Sequence, residues 1–213
     1  IFGGDISGTG SLEKSGSGAV TLTGTNSYTG GTTVEEGILR AGSATGFAAG
    51  GAYTVNGGTL DLNDFDLTMP SLSGTGGTVD LGSAELTVDQ DDDTSFSGAI
   101  TGSGSFVKLG QGVLSLLGIN TYSGSTEVAE GTLEVSGGGA LAGASGAIGG
   151  GLGETGEVTI SGVGSVWNIS GEIHIGDAGT GTLGVAAGGV VSATNGYIAN
   201  QAGSSGDVTV DGA

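Results

Sequence analysis

A stretch of 37 residues occurs twice in this chain without a gap, at residues 6–42 and again at residues 100–136, an offset of 94. The run Asn26–Gly30 (NSYTG), for example, returns as Asn120–Gly124 (NTYSG). A repeated unit of this kind cannot bury its own apolar face and must pack against the next unit. The repeat therefore predicts a stacked architecture.

A second regularity sets the length of each stacked unit. A Gly-x-apolar-x-apolar motif recurs every 19 to 21 residues, starting at Gly18, Gly37, Gly58 and Gly77, and again at Gly112 and Gly131. From residue 146 onward the period is 25, with one ladder at Gly156, Gly181 and Gly206 and another at Ile148, Ile173 and Ile198. We predict one β-helical segment over residues 1–213, with coils of about 19–21 residues in 1–145, coils of 25 residues in 146–213, and two strand positions in each of the longer coils.

Short alternating groups such as Val158-Thr159-Ile160 have the period of two that is typical of strands with one buried face. The 51 glycines follow no G-X-Y period, which excludes collagen and favours glycine turns. No long stretch has helical periodicity. We predict an all-β parallel β-helix of about ten coils, spaced by roughly 4.8 Å. A β-sandwich is the alternative, but a fixed 25-residue period is hard to explain that way.

The composition excludes several classes of partner. A formal net charge of −19, with Lys14, Arg40 and Lys108 as the only cations, would repel nucleic acid and anionic membranes. Cysteine is absent, so disulfides and thiolate metal sites are excluded. No apolar run approaches about 18 residues, and we expect neither a transmembrane helix nor a signal peptide in this stretch. The chain begins and ends within its pattern, so we expect it to be part of a longer protein.

The first repeat resembles a known family. Gly10–Gly18 (GSLEKSGSG), followed by Leu22, Gly24, Asn26, Tyr28, Gly30, Thr32, Val34, Gly37 and Leu39, is similar to the autotransporter-associated β-strand repeat of type V secreted passenger domains. The coils of the last third are similar to those of adhesin-type passengers. The resemblance implies a right-handed parallel β-helix, exported through a C-terminal outer-membrane β-barrel translocator and either exposed on the bacterial surface or secreted.

The densest acidic cluster is a candidate calcium site. Asp89, Asp91, Asp92 and Asp93 supply carboxylate oxygens, and their spacing begins like an EF-hand loop. Thr94 stands where that loop needs glycine, and Ile100 stands where it needs the bidentate glutamate. We therefore favour a solvated loop and expect no cofactor.

Catalysis finds little support in the sequence. A pair of carboxylates at glycosidase distance arises by chance among 22 acidic residues. Uronate lyases need cations, and Lys14 and Lys108 occupy equivalent repeat positions, which favours a structural role for both. His174 alternates with Ile173 and Ile175 and is predicted to be a surface histidine on a strand, because no second histidine accompanies it. We predict that the segment is not an enzyme.

Three aromatic residues are candidates for a binding face. Tyr28 and Tyr122 occupy matching turns, and a surface aromatic could contact a receptor or a sugar. Their repetition favours packing over the turn instead, with the preceding asparagine bonded to the backbone. Trp167 is the single tryptophan, which makes it a better candidate than the repeated tyrosines, although we favour a role in packing between coils for it as well.

Three functions follow from these observations. The first is a surface adhesin, whose partner is a host cell-surface or matrix protein, or a self-association module, whose partner is another copy of the chain. The second is an inert spacer that presents a distal domain. The third, and least favoured, is a carbohydrate-active β-helix.

Overall fold

The computed structural model describes residues 1–212, and all of its regular elements are β-strands. All named strand pairs are parallel, and the chain winds into a β-helix of about ten coils. The predicted all-β parallel β-helix is confirmed. Within the described residues there is no helix that is long and apolar enough to cross a membrane.

The strands are short in the first part of the chain and longer in the last part. In chain order they are β1 (Ser7–Gly8), β2 (Leu12–Lys14), β3 (Ala19–Leu22), β4 (Ser27–Tyr28), β5 (Thr32–Val34), β6 (Ile38–Ala41), β7 (Tyr53–Val55), β8 (Thr59–Asp61), β9 (Leu67–Met69), β10 (Leu72–Ser73), β11 (Thr78–Asp80), β12 (Glu85–Asp89), β13 (Thr94–Phe96), β14 (Ala99–Thr101), β15 (Ser105–Leu109), β16 (Val113–Leu116), β17 (Ile119–Asn120), β18 (Thr126–Val128), β19 (Glu130–Val135), β20 (Ala140–Gly143), β21 (Gly146–Ile148), β22 (Thr155–Ser161), β23 (Val166–Ile169), β24 (Glu172–Ile175), β25 (Thr180–Ala186), β26 (Val190–Ser192), β27 (Asn195–Ile198) and β28 (Ser205–Asp211).

The coils have three faces. The first face stacks β2, β5, β7 and β10 and continues through β13, β16, β19, β22, β25 and β28. The second face stacks β3, β6, β8, β11 and β14 and continues through β17, β20, β23 and β26. The third face contains β1 and β4, and then β9, β12, β15, β18, β21, β24 and β27. The interpretation of two strand positions per coil is therefore wrong, because the third strand of each coil lies outside the two ladders of identical residues.

The core is built from columns of side chains that stack on their equivalents in the next coil. On the second face, Leu39 is in register with Leu60, Leu60 with Val79, and Val79 with Ile100. All four are buried. Parallel strands lie about 4.8 Å apart, so each apolar side chain contacts the one above and the one below. The core therefore runs the whole length of the stack.

The distance along the chain between stacked partners changes towards the C-terminus. Leu12 is in register with Thr32, which is 20 residues further on, whereas Val158 is in register with Leu183, which is 25 residues further on. The longer coils contain the seven-residue strands β22, β25 and β28 of the first face. The last residue of the predicted segment, Ala213, lies outside the described residues.

The two copies of the 37-residue repeat occupy different faces. By sequence, β2, β3 and β5 of the first copy correspond to β15, β16 and β18 of the second. The strand β2 lies on the first face and β15 on the third, and β3 lies on the second face and β16 on the first. The second copy is thus rotated by one face relative to the first. The three faces offer the repeat equivalent surroundings.

Both repeated lysines point into the core. Lys108 lies in an inward column between Val88 and Val128, and Lys14 is in register with Val34. The Lys108 ammonium donates to the carbonyls of Leu109 and Gly110, at 2.6 and 2.7 Å.

Lys14 bonds the equivalent corner of the first repeat. Its ammonium donates to the carbonyls of Ser15 and Glu36, each at 2.9 Å, and to that of Gly16. Each lysine therefore satisfies the carbonyls of a coil corner, which supports the structural role predicted from the repeat. Gly37 leaves room for this arrangement, since a Cβ there would lie 2.7 Å from Lys14 Nζ.

We expect a buried charge in a core column to unfold the C-terminal coils first. Ile173 is 4% exposed and in register with Gly146 and Gly196. Ile173→Asp should lower the free energy of unfolding by about 3 kcal/mol or more, because the carboxylate has no partner there. Hydrogen exchange should show loss of protection in β24–β28 before β3–β14, since each coil is stabilised by its neighbours.

The control for this variant is Val163→Asp, at a residue that is 88% exposed. It should change the free energy of unfolding by less than about 0.5 kcal/mol. Equal thermal stability of the two variants would contradict the assignment of Ile173 to the core.

We expect Lys108 to make stability rise with pH in the mildly alkaline range. Burial lowers the pKa of Lys108 to about 8, against the attraction of Asp89, Asp91, Glu130 and Asp93. Between pH 8 and the ordinary lysine pKa of 10.5, the unfolded chain holds a proton that the folded chain has lost. The free energy of unfolding should therefore rise from pH 8 to 10, by at most about 1.4 kcal/mol per pH unit. Urea titrations should show this rise in the wild type and not in Lys108→Met, and the same slope in both would contradict it.

Candidate functional site

Tyr28 and Tyr122 lie in the interior, not on a binding face. They are 2% and 0% exposed. The Tyr28 hydroxyl is hydrogen-bonded to Thr32 Oγ1 at 2.6 Å, and the Tyr122 hydroxyl to Thr126 Oγ1 at 2.7 Å. Each tyrosine thus faces inward and reaches a threonine one strand further along the coil. Neither candidate is therefore available on a binding face, and their burial agrees with the packing that their repetition favours.

The asparagines that precede these tyrosines join neighbouring coils. Asn26 Oδ1 accepts from the Ile6 amide at 2.8 Å, and Asn26 Nδ2 donates to the Gly46 carbonyl. Asn120 does the same in the second repeat, accepting from Ile100 at 2.9 Å. This agrees with the alternative interpretation, in which the asparagine bonds the backbone.

Trp167 is also buried, and the structure corrects its assignment to a binding face. It is 0% exposed, in register with Leu141 in the coil before and Val191 in the coil after. The ring passes over Gly146, where an added Cβ would lie 2.7 Å from Trp167 Cζ2. Trp167 therefore fills the core at a point where the facing strand has no side chain, as the packing alternative proposed.

The aspartates of the predicted calcium loop bond the next coil. Asp91 Oδ1 accepts from the Gln111 amide at 3.2 Å, and Asp93 Oδ1 accepts from the Val113 amide at 2.8 Å. Within residues 1–212, no three acidic or histidine side chains form a group that could hold a metal ion. Asp89, Asp91, Asp92 and Asp93 are exposed, in keeping with a solvated turn. The preference for a solvated loop without calcium stays a prediction from the sequence.

His174 lies on the outer side of the third face in a small polar cluster. Its ring stacks on Tyr197 in the next coil, with centroids 4.8 Å apart and planes at 22°. Nε2 is 3.6 Å from Glu172 Oε2, and Nδ1 is 3.7 Å from Asp177 Oδ1. The Glu172 carboxylate raises the pKa of Tyr197, whose hydroxyl donates to it. Both imidazole contacts exceed hydrogen-bond length, so the cluster does not orient His174 as a general base.

The outer side of the first face carries a strip of small polar side chains. Two neighbouring columns, which we call the hydroxyl strip, consist of Thr33, Thr54, Ser73, Ser95 and Ser115 in one column and Asn56, Thr75 and Ser97 in the other. The first column ends at carboxylates, Glu13 before Thr33 and Glu134 after Ser115. The inward residues between the columns, such as Val55 and Phe96, are fully buried.

Hydrogen bonds join members of the hydroxyl strip across coils. Thr54 Oγ1 is 3.2 Å from Ser73 Oγ, and Thr75 Oγ1 donates to Asn56 Oδ1 at 3.4 Å. A shallow depression of about 400 Å³ lies on the strip and is lined by Thr54, Asn56, Ser73, Gly74, Thr75, Asp93, Thr94, Ser95 and Ser97. The strip is therefore an ordered array of donors and acceptors open to solvent.

The sequence contains a signal for this strip, a repeated polar triplet, which lies between the glycine motifs and is not part of their ladders. The triplets Thr33–Glu35 (TVE), Thr54–Asn56 (TVN), Ser73–Thr75 (SGT) and Ser95–Ser97 (SFS) recur at coil spacing and alternate polar with inward residues. Only one of the four contains glycine. Aligning strands between the glycine motifs would have found the strip.

A second depression of about 360 Å³ lies at the corner between the second and third faces. Its lining residues are Thr121, Tyr122, Ser123, Ala142, Gly143, Asn168, Ile169 and Ser170. The hollow forms here because Ala142 carries only a methyl group and Gly143 has no side chain. Because this hollow spans fewer coils than the hydroxyl strip, we take the strip as the candidate site.

Comparison with known proteins agrees with this architecture. The passenger-associated-transport-repeat family matches residues 12–41 and 106–135, which lie within the two copies of the repeat. The adhesin BmaC autotransporter of Brucella suis biovar 1 (strain 1330) is 48% identical over 141 residues, which cover 62% of this chain and 4% of that protein. The chain thus spans a small part of the length of the curated relative that it matches. No solved structure gives a significant match.

The repeats and the relative agree on one kind of protein. The two family matches and the 48% identical relative support the resemblance of this chain to an autotransporter passenger segment. Its place is accordingly the bacterial cell surface, or the medium after secretion.

We expect the buried tyrosines to make stability fall above pH 10. Burial raises the pKa of Tyr122, with the Thr126 hydrogen bond opposing it, and burial also raises the pKa of Tyr28. Above the ordinary pKa of 10.0, the unfolded chain therefore releases protons that the folded chain keeps, and the free energy of unfolding falls. Tyr122→Phe should make this fall less steep, by at most about 1.4 kcal/mol per pH unit, and should cost about 1 kcal/mol at pH 7.

Phe106→Leu is the matched control, since Phe106 packs beside Tyr122 with ring centroids 6.1 Å apart. It removes no ionisable group, so it should lower stability equally at pH 7 and pH 11. A pH slope unchanged by Tyr122→Phe in urea titrations would show that Tyr122 ionises as readily in the fold as in the unfolded chain.

Proposed function

We propose that this autotransporter passenger segment is an adhesive module that binds through an extended face of the β-helix. The single observation that carries the proposal is the hydroxyl strip, which presents ordered hydrogen-bonding groups on successive coils. The name of the Brucella relative, an adhesin, supports the same function. The partner is a host cell-surface or matrix component, or another copy of the passenger.

The geometry favours a distributed surface over a pocket. Both depressions are open hollows on the outer surface, and the three aromatic candidates are buried. Binding energy must then come from many small contacts, each worth about 1 kcal/mol or less. We infer that a single truncation on the strip weakens adhesion only slightly.

We further infer that the segment acts without catalysis. His174 is the single histidine, and it lies 3.6 and 3.7 Å from its carboxylate neighbours. The outward neighbours of His174 along its column are Ala147 and Tyr197, neither of which is an activated nucleophile in this setting. A spacer without binding activity is the alternative that the adhesion experiment separates.

We expect the purified, fluorescently labelled segment to bind saturably to cultured host cells, to immobilised matrix proteins, or to bacteria that display the full passenger. Ser95→Arg places a large side chain on the strip and should reduce that binding at least fivefold. Thr87→Arg is the matched control, because Thr87 is an outward residue on the third face. Absence of saturable binding to all three surfaces would favour the spacer. Equal loss of binding in both variants would show that the binding face lies outside the strip.

A further inference from the structure

We propose that the hydroxyl strip binds a neutral polysaccharide, laid along the axis of the β-helix. This inference rests on the proposed adhesive function and names the chemical class of its ligand.

The shape of the strip fits a linear polymer. Its first column places hydroxyls on five successive coils, at Thr33, Thr54, Ser73, Ser95 and Ser115. Four steps of about 4.8 Å give a length of roughly 19 Å. The second column runs parallel to the first, so the strip is two side chains wide and several coils long. A ligand that repeats along one direction can therefore make the same contact on successive coils.

The chemistry of the strip matches a ligand rich in hydroxyl groups. Serine and threonine hydroxyls both donate and accept, and the Asn56 amide, which already donates to Glu35 and accepts from Thr75, keeps one further N–H donor. Thr75, Ser95 and Ser97 are exposed and border the depression of about 400 Å³. Sugar hydroxyls can exchange hydrogen bonds with such groups without either side having to bury a charge.

The charge distribution selects a neutral polymer over a charged one. The molecule carries a net charge of −19, which repels an anionic polysaccharide. Lys14 and Lys108 are buried, and Arg40, on the second face, is paired with Asp61 at 2.6 Å. In the part of the chain that the structure describes, no cation is therefore available on the strip to bind carboxylate or sulfate groups.

A cationic polymer or a second copy of the chain fits the strip less well. The strip itself is uncharged, whereas the carboxylates lie at its margins, as at Glu13, Asp93 and Glu134. A polycation would follow the carboxylates and not the hydroxyls. A second copy would bring another charge of −19 to the same surface, which opposes pairing at low salt.

The test is a titration of the segment with neutral polysaccharides (a β-glucan, a mannan and a galactan) and with heparin as the polyanion, followed by calorimetry and by immobilised-glycan binding. We expect saturable binding to at least one neutral polymer and none to heparin at the same ionic strength. The double variant Ser95→Ala/Ser97→Ala should weaken that binding roughly tenfold, as expected for the loss of two hydrogen bonds. Since both residues are exposed, its thermal unfolding should match that of the wild type.

The matched control is Thr68→Ala/Thr87→Ala, which removes two stacked outward hydroxyls from the third face. It should change binding less than twofold. Failure to bind any neutral polymer, binding to heparin alone, or equal weakening by the two double variants would overturn the proposal. Concentration-dependent dimerisation that Ser95→Ala/Ser97→Ala abolishes, without glycan binding, would assign the strip to self-association instead.

The adhesion assay keeps this proposal separate from the proposed function. Binding to cells or matrix without binding to any neutral polysaccharide would overturn the ligand class and leave the adhesive function standing. Absence of binding in both assays would overturn both.

Discussion

Stacking of each side chain on its own equivalent, about 4.8 Å away in the next coil, is the constraint on which this structure depends. A substitution in an inward column alters contacts with the coil before and the coil after, so an inward column stays apolar except where a buried polar group such as Lys108 finds hydrogen-bond partners. Leu39, Leu60, Val79 and Ile100 follow this rule on the second face. Outward columns are under no such restriction, because their side chains meet solvent. The fold thus separates stability, carried inside, from recognition, carried outside.

The corners of the coils pose the main polar problem of this fold. The chain turns three times per coil, and at each turn carbonyl groups leave the sheet hydrogen bonds. Lys14 and Lys108 satisfy such carbonyls with a buried ammonium, and Asn26 and Asn120 do so with a side-chain amide. These residues recur at equivalent positions of the two repeat copies, and the second copy is rotated by one face. The same side chains therefore satisfy the carbonyls of a corner whichever two faces meet there. That interchangeability explains how the same 37 residues can serve on different sides of one stack.

Much of the fold could be predicted from the sequence, because stacking makes equivalent residues recur at a spacing equal to the length of one coil. The ladders beginning at Gly18 and Gly156 correspond to β3 and β22, and the alternation within them gave the inward residues. The third strand of each long coil does not follow the 25-residue period, because Val166 of β23 and its stacked partner Val190 of β26 are only 24 residues apart. Residue type alone does not predict the burial of Tyr28, Tyr122 and Trp167, because an aromatic ring beside a turn can point either way. For the two tyrosines, the repetition supplies the signal that favours packing. The stacking register decides whether the ring points inward. For Trp167 the space comes from Gly146, a residue of another strand that does not align with Trp167 in the repeats.

The hydroxyl strip follows from the same separation of inside from outside. Serine and threonine lose little side-chain entropy on ordering, and the buried residues between the columns, such as Val55 and Phe96, already fix the backbone that carries them. Ligand binding at this strip therefore costs the protein little conformational entropy, which favours binding by many weak contacts. Individual contacts of this kind exchange quickly, but if the proposed adhesive passenger is displayed in many copies on one cell, it can engage a polymer at many points at once. Under that condition the avidity far exceeds the affinity of one strip, and a flat uncharged array is sufficient for adhesion.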